Sequence, residues 1–273
     1  SLTRQTTPRP FWNELPWPAA LQPTPDRVGL KLTKDMSPTT KDEKDEMAKV
    51  PFKQIVGALI YLASQTRPDI AVALSEVCRF MANPGRQHWI AVKRILRYIK
   101  GTLEYGIAFS GKFDQVIGYA DSDWGNNIDC RRSRTGFLFF ANGPVSWESR
   151  LQTTVALSTV EAEYLALAAA TKNALWLRTM LSELGFMPKQ PTTIWQDNQG
   201  CIALAKDPVN HRRTKHIDIR HHFVKDAVAR GDIKLKWCST SEMLADVLTK
   251  ALPVTTFKKL RQLIMGAPDE GVC

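Results

Sequence analysis

The chain is poor in cysteine and has no long apolar run, and these two shortages narrow the field first. Five cysteines in 273 residues (Cys78, Cys130, Cys201, Cys238, Cys273) are odd in number and widely spaced, and no C-x-x-C occurs. Neither a disulfide framework nor a zinc knuckle is indicated, and a reducing, intracellular compartment is expected. No stretch of about 18 apolar residues exists and Ser1 to Pro10 is polar, so neither a membrane span nor a secretory signal is read. Acids are in short supply as well: 27 Asp+Glu stand against 37 Lys+Arg, a formal net charge of +10. That excess favours an anionic partner. Because residue 1 is Ser and not Met, a piece processed or excised from a longer chain is expected.

What is present suffices for one or two cores, since 44% of the residues are hydrophobic. Residues 1–48 combine Pro8, Pro10, Pro16, Pro18, Pro23, Pro25 and Pro38 with the charged stretch Lys41 to Glu46. They read as an extended leader or linker, without helix. Residues 49–111 read as a small helical segment. Phe52, Ile55, Val56, Leu59, Ile60 and Leu62 recur near helical spacing, and Pro68 suits the first position of a second helix. A third helix, Arg86 to Lys100, sets Trp89, Val92, Leu96 and Ile99 on an apolar face and Arg86, Lys93, Arg97 and Lys100 on a basic one, which suits either contact with nucleic-acid phosphates or a solvated surface.

Residues 112–253 change texture. Val116 to Ala120, Thr135 to Ala141 and Pro144 to Glu148 read as strands, the last two joined by the hairpin signal Asn142-Gly143. A long helix follows through Leu184, its start marked by a capping box of Ser158 and Glu161 and its end by Gly185. Then come strand Thr192 to Gln196, a short helix near Gln199, a helix from Ile217 to Ala229, strand Ile233 to Cys238 and a helix from Glu242 to Lys250. Residues 254–273 supply a last helix and a tail. The expectation is an α/β fold with a mixed five-stranded sheet, three antiparallel strands then two parallel ones, flanked by helices.

Four acids stand where such an architecture gathers side chains. Asp121 and Asp197 follow the first and fourth strands, whose carboxyl ends open onto one crevice. Glu163 lies early in the long helix, and Asp246 interrupts the apolar face of its own. Converging carboxylates repel one another unless cations compensate, and hard oxygen donors select Mg²⁺ or Mn²⁺ over zinc. Asp123, two residues beyond Asp121, is expected on the other side of the backbone. His211, His216, His221 and His222 lack the i, i+4 spacing of a helical zinc pair and read as structural or solvated. Trp124, Trp147, Trp195 and Trp237 read as core. Arg131 and Arg132, and Arg212, Arg213 and Lys215, flank the crevice and suit phosphate contact.

Seven motifs resemble one family in its order: Gly118-Tyr119-Ala120-Asp121-Ser122-Asp123-Trp124, Ser133-Arg134-Thr135-Gly136, Val145-Ser146-Trp147, Ala156 to Tyr164, Asp197-Asn198-Gln199, Lys215 to Arg220, and Leu244 to Lys250. The sequence is similar there to the ribonuclease H domain of copia-type retrotransposon polyproteins. Val50 to Leu62, Thr66 to Ile70 and Leu96 to Thr102 resemble the segment that joins the family's reverse transcriptase to that domain.

The resemblance implies a ribonuclease H-like sheet and an endonuclease that cuts the RNA strand of RNA–DNA hybrids, leaving 5′-phosphate ends. It implies two Mg²⁺ ions, with Mn²⁺ possible, held by Asp121, Glu163, Asp197 and Asp246, and nucleic-acid contacts at Ser158 and Asn198. An upstream polymerase palm and fingers domain is an expected partner, no membrane is, and a cytoplasmic virus-like particle with nuclear access is the expected location. Cys238 to Ala245 lacks the mobile histidine that many ribonucleases H carry before the last acid, and the absence of any Asp-Asp pair excludes the polymerase's catalytic motif. The alternative reading is a non-catalytic nucleic-acid-binding remnant or connection domain.

Overall fold

The computed structural model describes residues 21–109, 115–186, 189–206 and 215–265, the side chains of 215–219 and 221 excepted. Two compact units emerge. One comprises residues 1–109 and 250–273, so its chain is contributed from both flanks of the other, Ser110–Thr249.

In the first unit helix begins earlier than the composition suggests. Lys41–Ala48 is helical (α1) despite its charge. The cause is local: Thr40 accepts the Glu43 N–H, while the Glu43 carboxylate accepts the N–H groups of Thr39 and Thr40. This reciprocal cap satisfies the exposed donors of the first turn and holds the Glu43 carboxyl below its usual range. The reading of residues 1–48 as helix-free is corrected on that ground. Helices α2 (Phe52–Gln65), α3 (Ala71–Cys78, entered through a 3₁₀ turn at Pro68–Ile70) and α4 (Arg86–Lys100) follow. Phe52, Ile55, Val56, Leu59 and Leu62 are buried as their spacing requires, whereas Ile60 is exposed. Gly85 permits a close approach at the start of α4, because a Cβ there would lie 1.8 Å from the Met36 carbonyl oxygen.

A buried polar network crosses this unit. Arg67, fully buried, donates from Nε and Nη2 to the two carboxylate oxygens of Asp69 at 2.9 and 2.8 Å and from Nη1 to the Thr102 carbonyl at 3.0 Å. Burial alone would lower the basicity of Arg67, but Asp69 beside it raises it above its ordinary value. The last helix, α8 (Val254–Met265), buries Phe257, Leu260 and Ile264 and carries Arg261 into contact with the hydroxyls of Tyr98 and Tyr105, both at 3.3 Å.

The second unit is built on one sheet of β1 (Ile117–Asp123), β2 (Arg134–Phe140), β3 (Pro144–Leu151), β4 (Thr192–Gln196) and β5 (Ile233–Trp237), in the order β3-β2-β1-β4-β5. β1, β2 and β3 pair antiparallel, and β4 and β5 add in parallel, as the element order predicts. The β2–β3 turn places Asn142 at φ 62, the left-handed conformation that Asn tolerates. The long helix α5 (Thr159–Glu183), with α6 (Gln199–Lys206) and α7 (Lys215–Ala229), completes the helical complement. Leu167, Ala168, Ala170 and Ala174 of α5 share a core with Ala120, Phe137, Phe139, Ile194 and Leu235 of the strands. A second cluster joins Cys238, Met243 and Ala245 to the rings of Tyr119 and Trp195.

The helix expected from Glu242 to Lys250 is instead two 3₁₀ turns, Thr240–Glu242 and Leu244–Leu248, separated by Met243 in an extended conformation (φ −71, ψ 98). These turns press on the sheet: a Cβ at Gly136 of β2 would lie 2.6 Å from Thr249 Cγ2 and 2.9 Å from Leu248 Cβ. Glycine at 136 is what admits Thr249 to the neighbourhood of β1.

Candidate metal centre

The sheet register explains why two acids meet. β1 and β4 pair only from Ile117↔Thr193 to Tyr119↔Trp195. Beyond that point β1 stays with β2 through Asp123, and β4 with β5 through Gln196. The strands therefore diverge just short of Asp121 and Asp197, which stand at equivalent positions on the two sides of the opening. Asp121 thus lies inside its strand, not after it. Since strand side chains alternate with period two, Asp123 belongs to the same face as Asp121, which corrects the expectation that it points the other way. Its carboxylate accepts a hydrogen bond from Asn126 Nδ2.

The third acid arrives on α5. Ser158 caps that helix by accepting the Glu161 N–H at 3.1 Å, while Glu161 takes the Leu157 N–H at 2.8 Å, one residue before the position a capping box would use. Glu163 follows in the next turn and is buried. Asp121, Glu163 and Asp197 each offer a carboxylate oxygen, and the three oxygens lie within 4.8 Å of one another.

Asp246 is buried but stands outside that trio. It belongs to the same electrostatic neighbourhood, because the Cys238 thiol is pushed up to about 12 by burial and then by Asp197, Glu242, Asp246 and Asp121 together. It is also linked to Asp121 through one residue: the Thr249 N–H donates to the Asp246 carbonyl at 3.2 Å, and the Thr249 hydroxyl donates to Asp121 Oδ2.

Neutral donors hold the trio. Besides Thr249 on Asp121, Gln196 Nε2 donates to Glu163 Oε2 at 3.2 Å, and the Thr240 hydroxyl donates to Asp197 Oδ2 at 2.9 Å. Gln196, fully buried, also accepts the Asp197 N–H on its Oε1 at 2.9 Å, so one amide fixes Glu163 against the end of β4. Sequence reading missed all three donors.

The donor set suits a hard divalent cation. It consists of carboxylate oxygens in partly buried surroundings. Cys201 is raised first by its burial and then by Glu163, and Cys238 as described. The carboxylate oxygens present therefore fit a hard divalent cation such as Mg²⁺ or Mn²⁺.

No family model matches the chain. It is, however, 46% identical over 242 residues to the retrovirus-related Pol polyprotein from transposon TNT 1-94 of Nicotiana tabacum, a match covering 88% of this chain and 18% of the polyprotein. It is 39% identical over 215 residues to the Pol polyprotein from transposon RE1 of Arabidopsis thaliana, covering 78% of this chain and 15% of that one. The chain belongs to the copia-type retrotransposon Pol polyproteins.

It spans less than a fifth of the length of these two relatives. Among solved structures, a ribonuclease H1 isolated from compost by a metagenomic approach matches with a TM-score of 0.38 at 15% identity, over 50% of this chain and 93% of that one. The second unit of this copia-type Pol segment has the mixed five-stranded sheet described above, three antiparallel strands and two parallel ones.

The remaining candidates of the Pol segment are scattered. Arg131, in the left-handed conformation at φ 56, and Arg132 are exposed in the β1–β2 connection. Ser158 is exposed and uses its hydroxyl as the α5 cap, and Asn198 Oδ1 accepts the Cys201 N–H at 2.9 Å at the start of α6. Arg212, Arg213 and His211 lie outside the described residues, as do the side chains of Lys215, His216 and His221. Arg86, Lys93, Arg97 and Lys100 belong to the first unit, where Lys93 Nζ sits 5.9 Å from the Trp89 ring centre. Two tryptophans depart from the core reading: Trp124 is 50% exposed and Trp237 51%.

Proposed function

We propose that the second unit is a metal-dependent ribonuclease H that cleaves the RNA strand of RNA–DNA hybrids. The observation that carries this is the gathering of Asp121, Glu163 and Asp197, from three different elements, within 4.8 Å where β1 and β4 diverge. Asp246, tied to Asp121 through Thr249, is the fourth member of the proposed set. When bound, a pair of Mg²⁺ or Mn²⁺ ions supplies an activated water and stabilises the leaving 3′ oxygen, giving 5′-phosphate and 3′-hydroxyl ends.

The chain's own contribution is positioning. Thr249, Gln196 and Thr240 fix the carboxylates in advance, and Arg131 and Arg132 supply cationic contacts for phosphates. An upstream polymerase palm and fingers domain in a longer polyprotein, and a cytoplasmic virus-like particle with access to the nucleus, complete the proposal.

The test is cleavage of an end-labelled RNA–DNA hybrid in Mg²⁺ by the wild type and by Asp197→Asn. A loss of at least a hundredfold in rate is expected, with hybrid binding retained. Cleavage that survives the substitution would overturn the assignment, and tight, salt-sensitive binding by a wild type that never cuts would make the unit a binding module.

A further inference from the structure

Half-exposed tryptophan is an unusual use of the largest apolar side chain, and of the three in this unit, Trp124, Trp176 and Trp237, the first and last stand beside its acids. Neither ring hangs free. The Trp237 indole Nε1 donates to the carbonyl of Asp197 at 3.0 Å, and Asp197 is one of the three gathered acids. The Trp124 indole Nε1 donates to the carbonyl of Ala156 at 3.1 Å. Trp124 follows Asp121 by three residues on one side of that bond, and on the other Ala156 precedes the Ser158 cap of the helix that carries Glu163. Each ring is thus pinned by its polar edge to an element that bears an acid, while half its surface stays bare. Around Trp124 the bare surface continues into Val155 and Leu157, exposed by 48% and 85%.

A pinned, flat, apolar face does not suit a phosphate, which requires hydrogen-bond donors or cations. It suits the π-face of a nucleobase, because stacking is tolerant of sequence and loses little when the platform is already fixed. Inside a duplex the bases are already stacked on one another, so the nucleotides available to such a platform are unpaired ones. We infer that Trp124 and Trp237 are stacking platforms for unpaired nucleotides that extend from the duplex held at the acids. The inference rests on the nucleic-acid substrate proposed above and adds a preference to it: a hybrid with a single-stranded extension is held more tightly than a blunt one.

The experiment measures binding without chemistry. Fluorescence anisotropy in EDTA compares a blunt RNA–DNA hybrid with the same hybrid carrying a six-nucleotide single-stranded extension, for the wild type, Trp237→Ala, Trp124→Ala and the corresponding phenylalanine variants. Circular dichroism melting checks that each variant is folded. The wild type should prefer the extended hybrid, and each alanine variant should shrink that preference by on the order of tenfold, with phenylalanine restoring most of it. The salt dependence should be unchanged by these substitutions, since no phosphate contact is removed. A wild type without the preference, or alanine variants that retain it, would overturn the inference while leaving hybrid cleavage intact. A wild type that binds neither hybrid would bring down the nucleic-acid reading, and this one with it.

Discussion

Each unit buries charge, and they do so in opposite ways. In the first, Arg67 and Asp69 form a bidentate pair deep in the interior, with the hydroxyls of Tyr98 and Thr102 taking up remaining hydrogen-bonding capacity. Within that pair opposite charges cancel inside the protein. In the second, three carboxyl groups lie within 4.8 Å of one another, held by a threonine, a glutamine and another threonine. Carboxylate oxygens this close together suit a divalent cation. The contrast separates a buried charge pair that serves the fold from a cluster to which the proposed function gives the chemistry.

The largest effect should come from breaking the balanced pair. Asp69→Ala strands the Arg67 guanidinium in the interior and should cost about 3–5 kcal/mol, read as a lower denaturant midpoint for the first unit. A loss below about 1 kcal/mol would show that water reaches Arg67 and would erase the contrast. Next in size is Gln196→Leu, which removes the amide that fixes Glu163 against β4. Mn²⁺ affinity measured by calorimetry should fall about 10–100-fold, the usual consequence of removing a group that orients a metal ligand. An unchanged affinity would mean that the carboxylates find their places unaided. The smallest effect has the opposite sign to the first. In EDTA, Glu163→Gln removes one of three converging charges and should stabilise the second unit by up to about 1 kcal/mol, while abolishing the rise in melting temperature that Mg²⁺ gives the wild type. Destabilisation in EDTA would show that the acids are balanced within the protein, as in the first unit.

Local signals account for what was legible in the sequence. The Arg86–Lys100 helix and the Thr192–Gln196 strand have the limits their patterns suggest, and the sheet's mixed directions follow from three short connections succeeded by helical crossovers. Asp121, Glu163 and Asp197 could be placed together because strand ends and the first turns of a helix have defined positions in such a sheet. The helix at Lys41–Ala48 was overlooked because a net-charged composition outweighed a capping signal that was present in Thr40 and Glu43. The last turns were read as one helix because nothing local announces the extended Met243 between them. Thr249 reaches an acid 128 residues away, and Gln196 one 33 residues away; no pattern within a short window encodes such pairs. The bare rings of Trp124 and Trp237 were hidden for a related reason, since composition assigns tryptophan to the core and only the three-dimensional course of the chain decides which are left outside.

The Thr249 hydroxyl bond to Asp121 also bears on the order of folding. The first unit is completed only when α8 returns after Thr249, so assembling it from an unfolded chain means closing a loop that runs from Ser110 to Thr249. That closure costs on the order of 4 kcal/mol in chain entropy. Once the second unit has folded, its final residue is fastened to its first strand. The second unit, continuous in sequence, needs no such closure and is expected to form first, read as earlier amide protection in its sheet than in the helices of the first unit.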